Sequence, residues 1–170
     1  MPALHVVNVN LRQNQRPSRL DNPCRGAGVG SAGRRRAIST AYYATFRRIA
    51  SLCAASLASD RDDFETVVRS LNHKQLLKDL KSDKAKTLFR AAGIGTEIGA
   101  LFEALLNARE WADYSSAPTI IAGKARGDER LTRADAAKYI RNARAILSAL
   151  DALDDAARLK LAILLTIPKR

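Results

Sequence analysis

The chain has 170 residues, 46% of them hydrophobic but only 5% aromatic, and a net charge of +12. That length suits one domain with a tail, and a core made mainly of Ala, Leu and Ile argues for helices over sheet. The two cysteines, Cys24 and Cys53, have no disulfide or metal-ligand spacing, which points to a reduced, cytoplasmic protein without metal or cofactor.

The first 33 residues are rich in Gly, Pro, Ser and Arg, as in "QRPSRLDNPCRGAGVGSAGRRR". Seven arginines and one aspartate in residues 1–36 hold half of the excess charge. Such a segment buries too little apolar surface to offset its ordering entropy, so residues 1–33 are expected to be a disordered basic tail. The apolar patch near Met1 lacks a basic region before it and makes a poor signal peptide.

A helix is expected from Arg34 to Ala58, because Ile38, Tyr42, Phe46, Ile49 and Cys53 recur at steps of three and four. At 100° per residue Tyr42 points to the core and Tyr43 to its edge. Arg36, Tyr43 and Arg47 fall within roughly 40° of one another on one flank. They form either a ledge for phosphate or a stacked base, or an ordinary solvated helix edge. A polar break at "SDRDD" precedes a short helix through "FETVVRSL", and residues 72–93 read as one further weakly apolar segment. Its His73 suits a helix start or an interhelical hydrogen bond.

A long helix follows, with Ile94, Ile98, Leu101, Phe102, Leu105, Ala108 and Ala112 as its stripe, ending near Tyr114 before "SSAP". Ser115 to Leu131 reads as a loop. Thr132, with Asp135 three residues on, marks the start of the next helix, which turns Ala136, Ile140, Ala143, Leu147 and Leu150 inward. Lys138, Arg141 and Arg144 line one edge of it. With Arg133 and the loop's Lys124, Arg126 and Arg130 they form either a phosphate-tracking stripe or a solvated face. A short apolar helix closes the chain, and "LKLAILLTI" is too short to cross a bilayer. The expected architecture for residues 34–170 is all-α, an antiparallel bundle of four to five helices.

Two stretches resemble the signatures of bacterial HEPN-domain proteins. "RRAISTAYYATF" is similar to the family's "RRA-S-AYYA-F" helix, and "LLNAREWADY" is similar to its "R-x-x-ADYD". "VVRSLNHKQLLKDL" between them and "DALDDAARLKLAILLTIPKR" after them resemble the family's linker helix and the tail of one subgroup. The resemblance implies a HEPN-like bundle, often a homodimer, that binds RNA. Many such proteins are metal-independent ribonuclease toxins paired with a nucleotidyltransferase-like antitoxin. Carried onto this chain, it makes Arg109 a phosphate clamp, Asp113 its orienting carboxylate and Tyr114 a proton donor; an ion pair with a packed helix end is the plainer alternative.

The chain departs from the pattern in three ways. Active members carry histidine with four to six residues between it and the arginine, and here those positions hold Tyr114, Ser115 and Ser116. Phe46 is followed by Arg47 where histidine is common, and "SSAP" replaces the usual acidic continuation. Histidine is the side chain best suited to proton transfer near neutral pH. The expectation is therefore an RNA-associated binding module in a toxin–antitoxin or defence setting, without efficient catalysis. A ribonuclease using Arg109 and a protein-interaction module remain as alternatives. The family also has an apolar helix before the first signature, where this chain has its tail. A bundle lacking that helix is expected to leave an apolar groove open to self-association.

Overall fold

A computed structural model describes residues 30–114, 119–121, 124–126 and 131–167. They form seven helices: α1 (Ser31–Leu57), α2 (Arg61–Ser70), α3 (His73–Leu80), α4 (Asp83–Ala91), α5 (Ile98–Tyr114), α6 (Arg133–Asp151) and α7 (Asp155–Thr166). Among the described residues the protein is thus helical, apart from one small hairpin. No helix among the described residues is long and apolar enough to cross a membrane.

Local chemistry accounts for most boundaries. Asp60, Asn72, Ser82, Thr132 and Asp154 each cap the helix they precede with a side-chain oxygen, satisfying backbone N–H groups that have no partner within the helix. Thr132 and Asp135 complete the expected reciprocal capping box, with each side chain accepting from the other's backbone N–H. The segment read as one unit across residues 72–93 is two helices. Ser82 separates them, donating to the Asp79 carbonyl and accepting from Ala85 N.

The long helix starts at Ile98, later than its apolar stripe suggests. Gly93 takes φ +75°, and the bonds Gly93 N–H to Arg90 O and Ile94 N–H to Phe89 O close α4 in a glycine-terminated turn. The expected loop from Ser115 to Leu131 contains an antiparallel hairpin, β1 (Thr119–Ile121) and β2 (Lys124–Arg126), with Ile120 opposite Ala125. The β-branched run "TII" favours that pairing. The basic tail, up to residue 29, lies outside the described residues, as does Arg130.

Cross-helix bonds set the directions. Tyr43 meets Arg109 and Ser39 meets Asp113, so α1 and α5 run antiparallel. Arg34 Nε donates to Leu131 O at 2.7 Å, and Arg48 Nη2 meets Asp151 Oδ1 at 2.6 Å, so α1 and α6 run parallel. α5 therefore runs against both, and α1 and α6 run alike, as alternate long helices of an antiparallel up-and-down bundle do. The main core joins Tyr42, Ile49, Cys53, Leu76, Leu80, Phe102, Leu105, Ile146, Leu150 and Leu161. A second cluster gathers Ile38, Ala108, Trp111, Ala112, Leu131 and Ala136 at the end of α5. On α6, Ile146 and Ala149 are buried, whereas Ile140 and Leu147, expected inward, are half-buried.

Candidate functional site

The two motif helices meet around Arg109. On α1, Tyr42 is fully buried and Tyr43 is 38% exposed, as the helical phase predicts. The Arg109 Nη2 donates to the Tyr43 hydroxyl. One turn on, Asp113 Oδ2 lies 2.8 Å from Arg109 Nε, and Asp113 Oδ1 accepts from the Ser39 hydroxyl at 2.5 Å. That Nε–H is buried and off line for a hydrogen bond, so this edge is held by charge. The guanidinium carbon lies 5.9 Å from the Tyr42 ring centre, 5.2 Å from Tyr43 and 5.5 Å from Tyr114, within cation–π range of all three. Tyr114 itself is 61% exposed, so it borders the cation without packing the helix end away from solvent.

Burial disfavours the charged guanidinium, but the Tyr43 oxygen, Asp113 and Tyr114 more than offset it and the pKa rises. Arg109 is therefore a fixed cation. Its side chain keeps 20% of its surface open, from which it can meet an anion. Asp113 competes with any such anion for the guanidinium.

A histidine does reach this cluster, from a third helix. His73 is the first residue of α3, which Asn72 caps by accepting from Lys74 N and Gln75 N. Its Nδ1 lies 2.5 Å from the Tyr42 hydroxyl, and its ring centre is 4.1 Å from that of Phe46. Burial pushes the Tyr42 phenol up to about 12, with the Arg109 charge opposing. The hydroxyl thus keeps its proton and, buried, donates it to His73 Nδ1, leaving a neutral imidazole protonated at Nε2. Partial desolvation, then the Arg109 charge, lower the His73 pKa from its ordinary value.

The other sequence candidates stand apart from this centre. Arg36 and Arg47 are exposed on the α1 flank, and Lys138, Arg141 and Arg144 are exposed on α6, with Lys138 Nζ 5.9 Å from the Tyr139 ring centre. Sequence reasoning missed Ser39 and the buried Trp111, which anchors the end of α5. Among the described residues, no group of three or more His, Cys, Asp or Glu is placed to hold a metal ion. An open groove of about 810 Å³ between α4 and α7, lined by Leu88, Ala92, Ala157, Lys160, Ile163 and Leu164, shares no residue with the cluster.

Compared with family models, curated proteins and solved structures, the chain shows no match.

Proposed function

We propose that this protein is a HEPN-like RNA-binding module in which the Arg109 cluster contacts single-stranded RNA without cutting it efficiently. One observation carries the reading. Among the described residues, the exposed aromatic side chains are Tyr43 and Tyr114, and both lie against the same arginine. A cation flanked by open aromatic faces suits a phosphate with its neighbouring base, since stacking tolerates any base and arginine meets phosphate. The two motifs on α1 and α5, in the family's order, support the family and an RNA partner. They also support a cytoplasmic toxin–antitoxin setting with a nucleotidyltransferase-like antitoxin. The absence of histidine at positions 114 to 116, after Arg109, supports binding over catalysis.

The ribonuclease reading gains one observation: His73, from α3, bonds the hydroxyl of Tyr42, over whose ring lies the arginine that has no histidine after it in sequence. A labelled single-stranded RNA separates the two. Binding at low salt is expected, with Tyr114→Ala weakening it by about 1–3 kcal/mol and Arg109→Ala weakening it as well, and intact RNA after incubation with a chelator. Chelator-resistant cleavage abolished by Arg109→Ala would establish the nuclease instead. Absence of binding at low salt would refute both.

A further inference from the structure

His73 is the one member of the cluster that neither motif helix supplies. It is exposed, although its Nδ1 is bonded to buried Tyr42, so the edge left open is the one bearing Nε2. Arg109 lies over the ring of the same Tyr42, its guanidinium carbon 5.9 Å from the ring centre, so both side chains meet one tyrosine. Two donors of different kinds, a permanent guanidinium and a titratable imidazole, thus border one aromatic surface.

We propose that His73 and Arg109 form a shared anion site at which an RNA phosphodiester binds together with a proton taken up by His73. The inference rests on the RNA-binding reading above. In the free protein partial desolvation, and after it the Arg109 charge, disfavour imidazolium. A phosphate seated between the two groups offsets the second effect, because its negative charge favours the protonated ring. One proton passes from hydronium in the solvent to Nδ1, releasing water. That N–H then donates to the Tyr42 oxygen, the Tyr42 hydroxyl turns its own hydrogen away, and Nε2–H donates to the phosphate; no covalent bond other than the N–H is made. The lost acceptor of Tyr42 limits the gain.

Among the described residues, the following charged and titratable groups act on His73 or flank it. From α5, Arg109 acts on it directly and Glu110 acts on the Tyr42 hydroxyl. From α1, Tyr42 bonds to it and Tyr43 accepts from Arg109, and on its own helix Lys74 follows it. On the preceding helix Arg69 is paired with Glu65.

Because phosphate raises a pKa that is lowered in the free protein, affinity must rise as pH falls through the bound-state value and level off below the free-state value. Each unit of separation between the two is worth about a factor of ten in affinity. The experiment follows a fluorescent oligo(U) RNA by anisotropy between about pH 5 and 8 at constant salt, using the full chain, His73→Asn and His5→Gln. Wild type and His5→Gln are expected to tighten about tenfold toward low pH, and His73→Asn, which retains an acceptor for Tyr42 but does not titrate, to stay flat. A wild-type profile without pH dependence, or one that His73→Asn leaves unchanged, overturns the proposal and leaves RNA binding standing. No binding at any pH at low salt overturns both. Should His73→Asn fail to fold, His73→Gln carries the test. It likewise does not titrate and is expected to give a flat profile; a pH dependence as large as that of wild type also overturns the proposal.

Discussion

Tyr42 and Tyr43 are neighbours in sequence with opposite duties. Tyr42 has no exposed surface and packs its ring against Phe46, Phe102 and His73, with centres 6.4, 5.6 and 5.7 Å away. Tyr43 leans edge-on against it at 5.3 Å and offers its oxygen to Arg109. Truncating Tyr42 to Ala is expected to cost about 3–5 kcal/mol in urea unfolding, on the scale of buried aromatic truncations. Tyr43→Ala removes a half-open ring and one hydrogen bond, and is expected to cost about 1 kcal/mol. Equal losses would contradict the packing. This division was legible in sequence, because 3.6-residue periodicity fixes which of two adjacent residues turns inward. That His73 would start a helix or bond across helices was legible too, but that it would join the helix pair bearing Arg109 was not. A search for histidine after Arg109 reads along one helix, whereas the approach of His73 depends on how α3 packs across α1 and α5.

At the scale of elements, the junction of α3 and α5 shows what periodicity leaves out. Gly99 is buried at the start of α5, and a Cβ built there would lie 2.7 Å from the Leu80 carbonyl oxygen, a backbone atom that cannot swing aside. Gly95, four residues earlier, has nothing within 4 Å. "GIGTEIGA" holds three glycines, and no local pattern tells which one a neighbouring backbone approaches. Gly99→Ala is therefore expected to destabilise by about 1–3 kcal/mol, although alanine favours a helix by about 1 kcal/mol. Gly95→Ala is expected to cost far less. Thermal unfolding of the two variants checks this, and a Gly99→Ala protein as stable as wild type would rule out the close approach. The Thr132–Asp135 start of α6 was readable because both members of a capping box sit in the local sequence. The β1–β2 hairpin escaped because each strand is only three residues long, too short for alternation to register.

At the scale of the whole molecule, the charge is unevenly committed. Arg48, Arg69, Arg90, Arg109 and Arg158 each face a carboxylate. Among the described residues, Arg36, Arg47, Arg141 and Arg144 are exposed without an ion pair. An exposed arginine paired with a carboxylate brings less net charge to a phosphate than an uncommitted one, which releases counterions from RNA when it binds; Arg109 differs in that its guanidinium also lies against the exposed rings of Tyr43 and Tyr114. For a single strand the logarithm of affinity falls with the logarithm of salt by about 0.7 per neutralised phosphate. If α6 tracks the backbone, Arg141→Ala with Arg144→Ala lowers that slope by roughly 1.4, two contacts at this increment, and weakens binding to RNA of any sequence. Arg69→Ala, which removes an equally exposed but Glu65-paired cation, is expected to leave the slope unchanged. Salt titrations of the three proteins against the same labelled RNA decide the matter. A double variant with the wild-type slope would make the α6 row a solvated face, and the phosphate contacts would then have to come from the Arg109 cluster, the α1 flank or the basic segment before it.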